Sequence, residues 1–217
     1  MIQIIPSILV QTEKEFITKT SALTNILSMI QLDIADGEFV PNTTWADPRV
    51  VADNLEIDCE LHLMVSNPVE EARKWEYVDQ VKRVLVHYES VENVAEALGA
   101  INSYGWEVGI VLTSETPIEV VDKFIEEIDS VMFMSVKPGF QGQPFIPETL
   151  YRIKALRTKY PDLFIEIDGA VNENTIEDIV KSGVSAVCPG SAIVGNEREP
   201  RENVQRMRKL ISKALDL

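Results

Sequence analysis

Met29-Ile30-Gln31-Leu32-Asp33-Ile34-Ala35-Asp36-Gly37 is an apolar run of β type that delivers a carboxylate at its end, with a glycine close behind. Leu163-Phe164-Ile165-Glu166-Ile167-Asp168-Gly169-Ala170-Val171 repeats the design far along the chain. Two carboxylates delivered this way point to paired acid/base chemistry if both strands end on the same face. A parallel barrel has that property, because its strand ends converge where catalytic groups collect.

Working outward, strand-type runs are expected at Gln3 to Leu9, Met29 to Ile34, Glu60 to Val65, Arg83 to Val86, Glu107 to Leu112, Ser130 to Val136, Leu163 to Ile167 and Ala186 to Cys188. Their polarity reads as continuous, as in a parallel sheet covered on both faces. Helical spacing separates them, most clearly at Ile118-Val121-Phe124-Ile125-Ile128 and Leu150-Ile153-Leu156. Helix starts are expected after Thr116-Pro117, Ile146-Pro147 and Asn172, and Arg198 to Leu217 reads as a closing helix. Alternating strands and helices imply right-handed crossovers. Eight units predict one (β/α)8 TIM barrel with a parallel eight-stranded core, occupying residues 1–217 as a single domain. A doubly wound open sheet is the competing architecture.

The 217 residues carry 35 acidic against 20 basic side chains, a net charge of −15, with no basic run. Nucleic acid and anionic membrane are therefore excluded as partners over most of the surface. An anionic small molecule would need a local binding device. Met1 leads directly into Ile2-Gln3-Ile4-Ile5-Pro6 without a basic leader, which predicts a cytoplasmic protein. Cys59 and Cys188 belong to no ligand motif and are expected as reduced core residues.

On a barrel, the strand ends would present Ser7, then Asp33 and Asp36, then His62 and Met64, then Ser135 with Lys137, then Asp168, then Gly190-Ser191. Asp33 and Asp168 taken singly could cap backbone amides. Together, with His62 between them in strand order, they form a constellation. His62 sits in an apolar run, where a histidine is either a satisfied core residue or a metal ligand or electrophile. His87 closes the fourth run and is the weaker candidate. The loop Lys137-Pro138-Gly139-Phe140-Gln141-Gly142-Gln143 and the segment Pro189-Gly190-Ser191-Ala192-Ile193 are glycine-bearing places where backbone N–H groups can approach phosphate.

These residues resemble the ribulose-phosphate 3-epimerase family, including its allulose-6-phosphate relatives, from Pro6 to Gly195. The likeness is carried by Pro6-Ser7-Ile8-Leu9, by Asp33 to Asn42, by Leu61-His62-Leu63-Met64-Val65, by Met134 to Gln143, by Ile167 to Asn172 and by Gly190-Ser191-Ala192. It implies a (β/α)8 barrel in which Asp33 and Asp168 shuttle the C3 proton of a ketopentose phosphate. It also implies a divalent metal ion (zinc, iron, manganese or cobalt) held by Asp33, His62, Asp168 and the residue at position 31. The implied substrate contacts are Ser7, His62, Met64 and Met134, the loop Gly139, Phe140, Gln141 and Gly142, then Gly169, Ala170, Gly190 and Ser191. A homo-oligomer is implied as well.

The chain departs from the family at several of these places. Gln31 stands where the family has a histidine ligand, offering a weaker amide oxygen. Ala35 replaces a methionine and is expected to open space beside the reacting carbon. Glu38, Gln141 and Ala170 replace a histidine and two glycines. The leading expectation is interconversion of D-ribulose 5-phosphate and D-xylulose 5-phosphate through an enediolate. The alternatives are an epimerase or isomerase that lacks the metal or takes another ketose phosphate, and a sugar-phosphate-binding protein without catalysis.

Overall fold

The computed structural model describes residues 2–139 and 142–215. Phe140 and Gln141, both expected in the phosphate loop, lie outside the described residues. The strands are β1 (Gln3–Ile4), β2 (Ser7–Ile8), β3 (Met29–Ala35), β4 (Asp58–Met64), β5 (Val81–His87), β6 (Glu107–Leu112), β7 (Ser130–Met134), β8 (Phe164–Asp168) and β9 (Ala186–Cys188). Each named pair is parallel, in the order β1-β9-β8-β7-β6-β5-β4-β3-β2.

That order closes a ring, because β1 and β2 are the two ends of the first expected strand. Gln3–Ile4 pairs with β9 and Ser7–Ile8 with β3. Between them Ile5 N–H donates to Val187 O at 3.0 Å while Pro6 O accepts from Gln31 N–H at 2.9 Å. Proline has no N–H to give, so the chain changes partner there. One run thus seals the barrel, giving eight staves and leaving no open edge.

Helices α1 (Glu13–Ser21), α2 (Pro48–Asn54), α3 (Pro68–Arg73), α4 (Val94–Asn102), α5 (Glu148–Lys159), α6 (Ile176–Ser182), α7 (Ser191–Val194) and α8 (Pro200–Leu215) follow the strands. In α8, Val204, Met207, Ile211 and Ala214 are buried at helical spacing, which seats the closing helix on the core. The expected helix at Ile118 is instead a 3-10 turn, Ile118–Lys123. Its Pro117 cap offers no side-chain acceptor, and β-branched Ile118, Val120 and Val121 crowd an α-helix. The helix expected directly after Asn172 begins only at Ile176. Asn172 instead builds a turn, its Oδ1 accepting Asn174 N–H at 2.9 Å.

The strands alternate more strictly than their composition suggests. Outward Ile30, Leu32, Ile34, Leu61 and Leu63 join the helix-facing core. Inward Leu85, Val111, Met132 and Met134 form a second cluster inside the barrel. Below the site, the interior carries a buried charge layer. Arg83 Nη1 donates to Glu60 Oε2 at 2.9 Å and to Glu166 Oε1 at 3.1 Å, and Nη2 donates to Glu107 Oε2 at 2.7 Å. Burial and the neighbouring Glu166 charge push Glu60 well up, so one guanidinium faces a carboxyl pair that is reluctant to ionise twice. Gly109 makes room beside this layer, since a Cβ there would meet Leu85 Cδ2 at 2.6 Å.

Candidate active site

Strand register brings the expected residues together. Asp33 pairs with His62 across β3 and β4, Ser7 pairs with Gln31, and Asp168 pairs with Met134 and Cys188. All point inward at the carboxyl ends of their staves. A cavity of about 250 Å³ opens there. Asp33, Asp168, Met64 and Met134 line it, with Ser7, Gly139, Gly142, Gly169, Ala170, Gly190 and Ser191 around them. Leu9, Val136, Pro138, Gln143, Val171, Asn172 and Cys188 complete the lining. Of these, Cys188, expected only as core, is an inward strand-end residue that is both buried and cavity-lining.

His62 and Gln31 are fully buried beneath the cavity and act on it through Asp33 and Asp168. His62 Nδ1 lies 2.9 Å from Asp33 Oδ1 and 3.7 Å from Asp168 Oδ2. Gln31 Nε2 donates to Asp33 Oδ1 at 2.9 Å and to Asp168 Oδ2 at 3.2 Å. The amide therefore bridges the two carboxylates, while its Oε1 is buried with no hydrogen-bond partner among the described residues. The ligand atoms of Asp33, His62 and Asp168 all lie within 4.8 Å of one another. Two carboxylate oxygens and one imidazole nitrogen form a donor set that fits a divalent transition-metal ion, and the unclaimed Gln31 oxygen joins it if the amide turns over.

Electrostatics singles out Asp168. Burial and the nearby Asp33 charge push Asp168 up to about 7, so it holds a proton near neutral pH. Burial pulls His62 toward the neutral form, but the hydrogen bond to Asp33 and the charges of Asp33 and Asp168 outweigh it and raise the imidazole. Behind it, His62 Nε2 meets His87 Nε2 at 2.9 Å. His87 does not line the cavity; burial, aided by the His62 charge, lowers it to about 4.

Neighbouring residues fix this arrangement. Ser135 does not face the cavity; its Oγ–H donates toward Asp168 O at 3.0 Å and Gly169 O at 2.6 Å, tying β7 to the loop behind the acid. Gly169 has φ +106°, and a Cβ there would meet Val136 Cγ2 at 2.6 Å, so only glycine fits. Asp36 spends its carboxylate on Ser66 N–H at 2.6 Å and on Glu38 N–H and Phe39 N–H, which makes it a turn residue. Burial opposes ionisation there, but these donors hold its carboxyl at about 2. Lys137 is exposed and outside the cavity lining. The space expected beside Ala35 is not open: Val40, Met64 and Phe39 pack there, and Ala35 is off the lining.

The fold recurs in solved structures of low identity. A crystal structure of KGPDC from Streptococcus mutans superposes with a TM-score of 0.75 at 10% identity, covering 98% of each chain. Orotidine 5'-phosphate decarboxylase from Pyrococcus horikoshii gives a TM-score of 0.68 at 18% identity, covering 97% of this chain and 99% of that one. These likenesses speak to the barrel alone. Among curated proteins, the ribulose-phosphate 3-epimerase, cytoplasmic isoform, of Oryza sativa subsp. japonica is 35% identical over 84% of this chain and 82% of its own length. The ribulose-phosphate 3-epimerase of Mycobacterium bovis is 33% identical over 95% and 91%. The model of the ribulose-phosphate 3 epimerase family matches residues 3–194. This chain, an α/β barrel with two buried aspartates facing one cavity, belongs to the ribulose-phosphate 3-epimerase family.

Proposed function

We propose that the protein interconverts D-ribulose 5-phosphate and D-xylulose 5-phosphate, with Asp33 and Asp168 as the two catalytic acid/base groups. The juxtaposition of these carboxylates on one cavity floor, bridged by one amide, is the observation that carries the reading. One carboxylate takes the proton from C3, the C–H electron pair moves toward the adjacent carbonyl, and an enediolate forms. The other group, as a carboxylic acid, returns a proton on the opposite face of C3. The raised Asp168 suits it to be that acid near neutral pH, and the roles exchange in the reverse direction.

Substrate contacts follow the same reading. Met64 and Met134 supply a polarisable apolar floor for the planar intermediate. No lysine or arginine is among the described lining residues, so backbone amides near Gly139, Gly142, Gly169, Ala170, Gly190 and Ser191 hold the phosphate. Asp33, His62 and Asp168 would hold a divalent metal ion, joined by Gln31 through Oε1 once its amide turns over to withdraw Nε2 from the carboxylates. When bound, the ion supplies Lewis-acid neutralisation of charge developing on the substrate oxygens.

A second reading, a ketose-phosphate epimerase or isomerase that works without metal, is favoured by the same bridge. Gln31 Nε2 already neutralises part of the repulsion between the carboxylates. As further parts of the proposal, the residues 1–217 act as one barrel unit, in the cytoplasm, as a homo-oligomer. The net charge of −15 supports a small-molecule partner over nucleic acid or membrane, and no helix of the described residues is long and apolar enough to cross a membrane.

The test is proton NMR of ribulose 5-phosphate in D2O, with chelator and with added divalent metal. Deuterium entry at C3 with xylulose 5-phosphate formation is the expected result. Absence of both under either condition overturns the reading, and metal-independent turnover selects the second one.

A further inference from the structure

Two buried imidazoles meet nitrogen to nitrogen behind the candidate active site. His62 Nε2 and His87 Nε2 are 2.9 Å apart, and both residues are buried to within 1%. Such a contact needs one hydrogen between two lone-pair sites, so one ring donates and the other accepts. Geometry beyond His87 decides which. His87 Nδ1 is buried, has no hydrogen bond to any other described residue, and lies 3.6 Å from Glu89 Oε2. The other oxygen, Glu89 Oε1, accepts Thr113 N–H at 3.1 Å and Thr113 Oγ1–H at 2.8 Å, and also Thr116 Oγ1–H. Those three donors fix the carboxylate in place and leave Oε2 turned to the imidazole.

A bare nitrogen facing a carboxylate oxygen is repulsive, whereas an N–H facing it is attractive. The His87 proton therefore belongs on Nδ1, and His87 Nε2 is left as an acceptor. His62 must then carry a proton on Nε2 and donate it to His87. The remaining nitrogen, His62 Nδ1, lies 2.9 Å from Asp33 Oδ1, so by the same rule it also carries a proton when no cation is bound, and a cation would take the place of that proton while the Nε2 proton stays.

We infer that Glu89 and His87 are positioning residues that lock the Nε2 proton of His62, reserving its Nδ1 for the catalytic aspartates or for a divalent cation between them. The chain of groups runs Glu89, His87, His62, Asp33, from the 3-10 turn Tyr88–Ser90 into the cavity floor. Phe39, with its ring centre 4.9 Å from that of His87, covers the pair. The role parallels the general pattern in which a ligating histidine is oriented through its second nitrogen by a carboxylate, here with one imidazole interposed. The inference rests on the epimerase reading only for what Nδ1 serves; the proton arrangement is independent of it.

The chain has two histidines, so long-range 1H–15N spectra of protein labelled in histidine show two imidazoles and no others. The expected spectrum of chelated protein has a protonated Nε2 on His62 and a protonated Nδ1 with bare Nε2 on His87. His87→Phe and, separately, Glu89→Gln should shift the His62 Nε2 signal. Zn2+ titrated alone should bind about 10- to 100-fold more weakly to His87→Phe, with recovery in His87→Gln, whose amide oxygen can accept from Nε2–H. A protonated His87 Nε2, or a His62 pattern and Zn2+ affinity unchanged in both variants, overturns the inference. If His87→Phe does not fold, the Glu89→Gln spectrum decides, because Glu89 lies at the partly exposed barrel mouth. Absence of C3 exchange in wild type with the expected spectrum intact would remove the epimerase reading and leave this one standing.

Discussion

Gln31 Nε2 lies 3.2 Å from Asp168 Oδ2, although β3 and β8 are separated in the ring by β9 and the β1–β2 run. Only barrel closure puts an amide from the second stave against a carboxylate from the seventh. The same nitrogen touches Asp33, so Gln31 occupies the place where a cation would neutralise the pair.

Substituting an imidazole changes that balance. Gln31→His should tighten Zn2+ or Co2+ binding by roughly tenfold or more, since imidazole is the better donor for these ions. Activity should rise with it. Isothermal titration of both proteins measures this, and equal affinities would mean that position 31 does not contribute a ligand.

In the proposed reaction each aspartate serves one face of the substrate. Asp33→Asn and Asp168→Asn should each lower epimerisation by about 10²- to 10⁴-fold, the range for losing a positioned acid or base. Wash-in of deuterium from D2O should survive better from one epimer than from the other, with opposite preference in the two variants. Equal loss from both epimers in both variants would argue against a two-base arrangement.

The raised Asp168 also affects folding. In the unfolded chain this carboxyl ionises near its ordinary value of 3.8, whereas in the folded chain it keeps its proton to about 7. Between those values the folded state binds more protons, so this group makes stability fall as pH rises from about 4 to 7 and adds no further change above. Urea unfolding in chelator should show a steeper decline over that window in wild type than in Asp168→Asn. Parallel curves would place the ordinary pKa on Asp168.

Arg83 is the counter-ion for two buried carboxyl groups. Arg83→Met should cost about 3–5 kcal/mol, the penalty for leaving a buried charge uncompensated. Glu107→Gln removes only the half-exposed partner and should cost no more than about 1 kcal/mol. Chemical denaturation of both variants reads the contrast directly.

The proposed phosphate grip is open to a charge test. Ser191 is exposed at the cavity rim at the start of α7. Ser191→Asp should raise KM for the sugar phosphate by about tenfold or more through repulsion, since no basic side chain is among the described lining residues. An unchanged KM would locate the phosphate elsewhere.

The eight apolar runs and the carboxylates that end two of them, Asp33 and Asp168, contain the barrel and its candidate acid/base pair, because hydrophobic periodicity and strand-end chemistry are local properties of the chain. Ser7, Met64, Met134 and Gly190 were legible for the same reason, each ending a strand-type run. Other features depend on which way a strand faces once its neighbours are in register. Glu60, Arg83 and Glu166 sit in runs that read as apolar, yet alternation turns all three inward to form one charge layer. Ala35 reads as a vacancy, but Val40 and Phe39 from the following loop fill it. His87 ends the fourth run like a pocket residue, and only the register of β4 against β5 shows it pressed behind His62 with Glu89 at its back. The sequence by itself determined the elements and the groups they end on; long-range register and loop packing, which no local pattern encodes, decided which of those groups touch.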